Sequence, residues 1–238
     1  MVDHFSKINT FLFDLDDTLI STHEIFERQM IASASYIAGS KGLHDEEVKE
    51  KLFSAVDDAY TKVVVNPDRL WSSVFDVLKV EYGLSIDEVD VARDIIEEIY
   101  TTIPNLLDGS TDLLEHLLSA GHRVGMVTHA LRDWTVFKLE STGLSGYFED
   151  IYLVDVNEYK GKKHWDDAAK VFSIDKATSC VVGDSLSGDL IPSIEAGYAM
   201  QVRVNNGVGW HVYGSKDIPE GIINVTSPKE LHGLLTTS

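Results

Sequence analysis

Five short apolar runs, each followed by polar residues, divide this chain. They are rich in Phe, Val and Ile and span residues 11–13, 124–127, 151–154, 180–182 and 201–204. Their hydrophobicity is continuous rather than alternating, which is typical of strands in a parallel sheet covered on both faces. Stretches with helical spacing of apolar residues lie between the later runs, at Thr111 to Ser119 and at Trp134 to Ser141. Strand alternating with helix predicts an α/β fold.

The pattern has one large gap, because no strand-like run occurs from about Thr22 to about Ile103. Apolar residues recur there at the spacing of amphipathic helices. They do so within residues 25–37, 48–60, 74–78 and 89–99. We therefore predict an α/β core formed by residues 1–20 and 105–238, and an all-helical module at 21–104. A last helix is predicted from Ser227-Pro228 to Leu235, with serine as N-cap and proline in the first turn.

The charge of the chain narrows its possible partners. With 20 basic and 39 acidic residues among 238, the net charge is −19, and no long basic run breaks it. Such a surface repels nucleic acid and anionic membranes, so we expect neither as a partner. A phosphate could still bind if a metal ion and a few local cations met it, and the acidity favours a divalent-metal site.

Cysteine usage and the absence of a long apolar stretch suggest a cytoplasmic protein. Cys180 is the only cysteine, so no disulfide can form within the chain, and its apolar neighbours indicate a buried strand position. The first ten residues are polar, and no apolar run is long enough to span a bilayer. Whether the chain is a monomer or a homodimer stays open.

Candidate chemistry begins where the first apolar run ends, in Asp14-Leu15-Asp16-Asp17-Thr18. If the backbone stays extended, Asp14 and Asp16 project to the same side and can share one cation. An isolated pair of this kind more often caps a turn, and Asp17 is interpreted as a turn residue. The functional interpretation therefore depends on the other strand ends.

Those strand ends supply complementary groups. The second run leads into Thr128 and His129, where a hydroxyl and backbone N–H groups could hold an anion. The third is followed by the densest basic cluster of the chain, Lys160-Gly161-Lys162-Lys163, and the fourth by Asp184 and Asp189. In an open parallel sheet, reactive groups collect at the carboxyl ends of the strands, so we expect these residues to meet.

In this order the motifs resemble the haloacid dehalogenase-like hydrolase superfamily. Its pattern is an apolar strand followed by D-x-D-x-T, then a strand ending in Thr or Ser, then a Lys, and then an apolar strand ending in G-D-x(3,4)-D. The resemblance covers essentially the whole chain. It implies a Rossmann-like parallel sheet with helices on both faces and an inserted all-helical cap, as in phosphoglycolate phosphatase, acylneuraminate-9-phosphatase and pyrimidine nucleotidases.

The resemblance also implies a mechanism. Asp14 would be the nucleophile that forms an aspartyl-phosphate, and Asp16 would protonate the leaving oxygen and later accept a proton from water. Mg²⁺ would be held by Asp14, the backbone carbonyl of Asp16, Asp184 and Asp189, directly or through water. The substrate would be a small-molecule phosphate ester.

Thr128 and one lysine would hold the phosphoryl oxygens, and Thr18 and His129 would contribute to substrate binding. His129 stands where many relatives carry Asn. The lysine would be one of Lys160, Lys162 and Lys163. Counting back from the helix that begins near Trp165 favours Lys160, which we prefer, whereas the Gly161-Lys162 pair matches the usual Gly-Lys and makes Lys162 the alternative.

The same residues also bear on other activities known in this superfamily and outside it. Dehalogenases and phosphonate hydrolases of the superfamily lack the second carboxylate, so Asp16 argues against both. A sugar phosphomutase keeps both aspartates and is the nearest enzymatic rival. Receiver domains of signalling proteins place their phospho-accepting Asp later in the chain, and a non-enzymatic phospho-accepting or binding protein remains an alternative.

The substrate is expected to be selected by the cap. Closure would turn on hinges near Ile20 to Thr22 and near Pro104 to Leu107. Cap residues that could face a substrate are Arg28, Tyr60, Arg69 and Trp71. Surface or core positions are the more common situation for such residues.

Overall fold

The computed structural model describes residues 5–207 and 218–237. The chain forms two compact units. The first combines residues up to His23 with Pro104–Asp155 and Tyr159 onward, and the second combines Glu24–Ile103 with Val156–Glu158. The short segment at 156–158, far along the chain, joins the helical unit, which no feature of the sequence had indicated.

The first unit is built on a parallel sheet of six strands in the order β5-β4-β1-β6-β7-β8. Its strands are β1 Thr10–Phe13, β4 Arg123–Thr128, β5 Asp150–Leu153, β6 Ser179–Gly183, β7 Met200–Val204 and β8 Ile223–Val225. β1 is central, with Phe13 in register with Met126 of β4 and with Val182 of β6. The predicted α/β class is confirmed, and the five apolar runs coincide with strands.

Sequence analysis missed the sixth strand, β8. Only three residues long, it contains the exposed Asn224 between Ile223 and Val225, so it shows no continuous apolar run. It pairs with β7 at the edge of the sheet. Edge strands are commonly short, and burial on one side only leaves a weak sequence signal.

Helices cover both faces of this sheet, so successive strand residues enter different cores. Phe11 and Phe13 of β1 pack on one face with α5 (Ser110–Ser119) and α9 (Pro228–Thr236). Leu12 packs on the opposite face with α7 (Lys162–Val171) and α8 (Ile191–Ala196). Double coverage explains why the strands are apolar at consecutive positions. The remaining described helix of this unit, α6, spans Arg132–Ser141 and packs with the first face.

The second unit is helical, with α1 His23–Lys41, α2 Asp45–Val63, α3 Pro67–Tyr82 and α4 Ile86–Glu97. Local signals define the helix ends. Asn66 caps α3 by accepting from the Arg69 N–H at 3.1 Å, and α3 ends at Gly83 in the left-handed conformation. Ser85 and Glu88 form a reciprocal capping box at the start of α4.

Of the four cap candidates named from sequence, two lie inside this unit and two on its surface. Trp71 is buried, stacks against Phe26, and donates from its indole N–H to the Tyr100 hydroxyl at 2.8 Å. Tyr60 is also buried, whereas Arg28 and Arg69 are exposed.

A small antiparallel pair accompanies the large sheet in the first unit. β2 (Ile20–Ser21) pairs with β3 (Asn105–Leu106), and the two strands flank the stretch that had no strand pattern. Among the described helices, none is both long enough and apolar enough to cross a membrane.

Two glycines near α5 offer a matched stability test. Gly109 and Gly121 have φ of +81° and +82°, but only at Gly109 would a Cβ lie 2.6 Å from the Lys229 Cα. We expect Gly121→Ala to lower the free energy of unfolding by about 1–2 kcal/mol from backbone strain alone. Gly109→Ala should cost a further ~1–3 kcal/mol, because the start of α9 must move. Urea denaturation of both variants measures the difference, and equal losses would contradict the close packing of α9.

Candidate active site

The site forms where three neighbouring strands end at one edge of the sheet. Asp14 follows β1 directly, and its N–H donates to the Val182 carbonyl at 2.9 Å, which extends the pairing with β6 by one residue. β4 on the other side ends at Thr128, and Asp184 follows the end of β6. Because β1 lies between β4 and β6, all three residues meet beside its carboxyl end.

The turn after β6 delivers a second carboxylate to the same place. Leu186–Leu190 form a turn of π-helix, and Ser185 caps it by accepting from the Gly188 N–H at 3.0 Å. This turn points Asp189 back at the strand end, where its carboxylate accepts from the Ser185 N–H at 3.2 Å. A Cβ on Gly183 would lie 2.6 Å from Asp189 Oδ2, so only glycine leaves room for that carboxylate.

Three carboxylates and one ammonium form the centre of the site. Asp14, Asp184 and Asp189 each place a carboxylate oxygen within 4.8 Å of the others. The buried Lys160 lies among them, with its Nζ 2.6 Å from Asp14 Oδ1 and 2.6 Å from Asp189 Oδ1. Its third contact is a 2.6 Å hydrogen bond to the Val127 carbonyl, so two carboxylates and one carbonyl surround the ammonium.

The crowding of negative charge changes the protonation of these groups. Burial raises the pKa of Asp14 to about 7, with the charges of Asp189 and Asp16 adding to the rise and Lys160 opposing it. Desolvation, followed by the charges of Asp189 and Asp14, raises the pKa of Asp184 well above its ordinary value. Burial works against the charged form of Lys160, but Asp14 and Asp189 raise its pKa above the ordinary value. The arrangement therefore favours an added positive charge.

Two buried hydroxyls at or after strand ends have no hydrogen-bond partner among the described residues. They belong to Thr128 at the end of β4 and to Thr18 in the turn after β1. Buried polar atoms are nearly always paired, so an unpaired hydroxyl beside a charged cluster is suited to a ligand oxygen.

His129 follows Thr128, and its ring contacts the backbone just after β5. Its Nε2 lies 3.0 Å from the Asp155 carbonyl. Partial burial and the charge of Lys160 lower the pKa of His129 to about 4, so the ring is neutral at pH 7.

The two candidate lysines lie in different environments. Lys160 belongs to the carboxylate cluster described above. Lys162 begins α7, half exposed, and pairs with Asp166 one turn later. Lys163 is exposed as well and pairs with Asp167 at 3.4 Å. Of the three lysines, Lys160 alone is brought to Asp14.

Asp16 points to a different partner, which sequence reasoning missed. Its oxygens lie 2.6 and 2.7 Å from the Nζ of Lys138, a fully buried lysine of α6. Its side chain is not part of the group of three carboxylates. Lys138 lies three residues after the buried Thr135 and beside the buried Leu139, which places it on the inner side of the helix.

Asp17 adopts a turn conformation, with φ of 56°. Its carboxylate accepts from the N–H groups of Thr22 and His23 at 3.0 Å each, and burial raises its pKa to about 6. It thus binds N–H groups at the start of α1. It is not one of the three clustered carboxylates, although its charge adds to the rise in the pKa of Asp184.

The donor set fits a hard divalent cation. Three carboxylates with oxygens in mutual reach, two of them holding their protons unusually tightly, are oxygen ligands of the kind that Mg²⁺ prefers. A cation there would offset the charge that burial makes costly.

Known proteins resemble this chain over most of its length. The chain is 28% identical over 209 residues to the pyrophosphatase PpaX of Bacillus pumilus, covering 83% of this chain and 86% of the relative. In fold it is similar to a haloacid dehalogenase-like family hydrolase from Xanthomonas campestris, with a TM-score of 0.75, 18% identity and coverage of 97% and 91%.

A second similar structure is the HAD-hydrolase YfnB of Bacillus subtilis, described as bound to magnesium and as revealing interdomain movement. Its TM-score is 0.69 at 19% identity, and the match covers 96% of this chain and 98% of YfnB. The family model for haloacid dehalogenase-like hydrolases matches residues 8–197, which include both strand ends with carboxylates and the lysine between them. This chain therefore belongs to the haloacid dehalogenase-like hydrolase family.

Proposed function

We propose that this protein is a Mg²⁺-dependent phosphatase that hydrolyses a small-molecule phosphate ester through an aspartyl-phosphate on Asp14. The observation that carries this proposal is the position of Asp14: a buried carboxylate at a strand end, 2.6 Å from the Lys160 ammonium and within reach of Asp184 and Asp189. A carboxylate nucleophile needs its own charge and that of the phosphoryl group offset, and these neighbours suit that need.

In the first half of the reaction, an Asp14 carboxylate oxygen attacks phosphorus in line with the leaving oxygen. The bond from phosphorus to that oxygen breaks, and a proton from Asp16 goes to it. Lys160 and the Thr128 hydroxyl donate to the phosphoryl oxygens, and the neutral His129 and Thr18 line the same pocket. The unpaired hydroxyls of Thr128 and Thr18 support this assignment.

In the second half, water attacks the phosphorus of the aspartyl-phosphate and gives a proton to Asp16. The bond between phosphorus and the Asp14 oxygen breaks, which releases inorganic phosphate and restores the carboxylate. Mg²⁺ held by Asp14, the backbone carbonyl of Asp16, Asp184 and Asp189 would supply positive charge that stabilises the transferring phosphoryl group.

We further propose that the first unit is the catalytic core and that the helical unit, close to the predicted 21–104, is a cap that selects the substrate. Asp14, Asp16, Lys160, Asp184 and Asp189 all belong to the first unit, which supports the division. The interdomain movement described for YfnB supports a mobile cap.

The experiment that tests the function is a screen of phosphate monoesters together with inorganic pyrophosphate, because one relative is a pyrophosphatase. We expect release of phosphate with Mg²⁺, none in EDTA, and a loss of about 10⁶-fold in kcat for Asp14→Asn, since the nucleophile acts as part of a coupled unit. Full activity in EDTA, or more than a tenth of the wild-type rate in the variant, would refute the mechanism. Conversion of a hexose 1-phosphate to its isomer would identify a phosphomutase instead.

The two candidate lysines make a matched pair. Lys160→Met should lower kcat/KM by about 10²–10³-fold, because one charged donor to the phosphoryl group is lost. Lys162→Met should stay within about twofold of wild type, because its exposed pairing with Asp166 contributes little. Steady-state kinetics on the best substrate of the screen compares them, and the reverse ranking would assign the phosphate contact to Lys162.

The cap proposal is tested by replacing residues 22–103 with a short Gly/Ser linker. We expect the remaining core to keep some activity on p-nitrophenyl phosphate but to lose discrimination among natural esters, because the cap no longer lines the substrate. Circular dichroism checks that the core is folded. A folded core with the parent's ranking of substrates would contradict a cap that selects them.

A further inference from the structure

Two lysines of the described residues are buried, and the partner of Asp16 is the more deeply buried of them. Lys138 is 0% exposed, whereas the side chain of Asp16 is 26% exposed. The Nζ donates to both carboxylate oxygens, at 2.6 and 2.7 Å, and lies 3.7 Å from the centre of the Trp134 ring, one helical turn earlier. The ammonium therefore has a carboxylate on one side and an aromatic face on another.

A buried ammonium is costly unless it is paired, and α6 has other contacts besides this pair that hold it in place. The helix already packs through Leu139 into the apolar core, and Thr142 and Thr135 bond its own backbone. Replacing a buried ion pair by apolar groups is often neutral for stability. The lysine is therefore better explained by what it does to Asp16 than by what it does for the fold.

The two carboxylates of the first motif thus have separate lysines. Lys160 contacts Asp14 and Asp189 within the carboxylate cluster, while Lys138 contacts Asp16 from α6. Two hydrogen bonds from one ammonium fix the direction of the Asp16 carboxylate. Both oxygens of the Asp16 carboxylate therefore accept hydrogen bonds. A carboxylate with two acceptor oxygens is the form of Asp16 that takes a proton from water in the second half of the reaction.

We propose that Lys138 is a positioning residue for Asp16, which holds this carboxylate in the orientation from which it exchanges protons with the leaving oxygen and the hydrolytic water. The inference rests on the proposed function. The Trp134 ring, 3.7 Å from the Lys138 Nζ, supports it by limiting where the ammonium can go. Misplacement of a catalytic group by about 1 Å can cost ~10²-fold in rate, so such a role is measurable.

The test is a double-mutant cycle with Lys138→Met and Asp16→Asn, measured with p-nitrophenyl phosphate, whose leaving group needs little protonation. In the wild-type background, Lys138→Met should lower kcat by ~10–10²-fold and change KM by less than about threefold. In the Asp16→Asn background, the same change should alter kcat by less than about twofold, because the residue that Lys138 positions is already gone.

Two further variants complete the design. Lys138→Arg keeps the charge, so it should recover part of the kcat lost in Lys138→Met. In the Asp16→Asn background, Lys138→Arg should leave kcat unchanged. If Lys138→Met does not fold, Lys138→Arg replaces it in the cycle. Thr135→Val is the matched control, since it removes a buried hydrogen bond of α6 to the Leu131 carbonyl without touching Asp16. Thr135→Val should change kcat by the same factor in the wild-type and Asp16→Asn backgrounds.

If the kcat losses of Lys138→Met and Asp16→Asn multiply in the double variant, the inference is overturned, because Lys138 would then act through the fold and not through Asp16. Wild-type kcat in Lys138→Met would overturn it as well. Both outcomes leave the proposed function intact. A wild-type chain without phosphatase activity, or full activity in Asp16→Asn, would instead refute the catalytic assignments and this inference with them.

Discussion

The structure depends on one electrostatic arrangement: three carboxylates gathered around a single buried ammonium. Asp14, Asp184 and Asp189 would repel each other strongly at this distance, and Lys160 offsets only part of their charge. Burial, followed by the charges of the neighbouring aspartates, raises the pKa values of Asp14 and Asp184. An added positive charge would relieve this repulsion, and a divalent cation would supply it.

The parallel sheet makes that arrangement possible. Strands β4, β1 and β6 run in the same direction, so their carboxyl ends bring residues from distant parts of the chain to one edge. Covering both faces with helices removes water from the strands and leaves the edge as the place where polar groups can meet. The glycine at the end of β6 then decides whether Asp189 can approach at all.

Charge pairing also gives Asp14 and Asp16, two positions apart in the sequence, different partners. Asp14 and Asp16 are close in sequence, yet the first joins the cluster with Lys160 and the second is held by Lys138 from α6. Asp17, between Asp16 and Thr18, binds backbone N–H groups at the start of α1. Three acidic residues in one motif thus have three different environments, and environment sets what a carboxylate can do.

The sequence by itself determined the α/β class, five of the six strands of the large sheet and the strand-end motifs, because continuous apolar runs and polar strand ends are local patterns. It also indicated the family. Only the tertiary structure decided which lysine meets Asp14, since Lys160 and Lys162 differ by two positions and their surroundings come from β4 and the π-helical turn. It alone revealed Lys138, the short β8 and the segment 156–158 in the helical unit. These features depend on contacts between residues far apart in the chain, which no local pattern encodes.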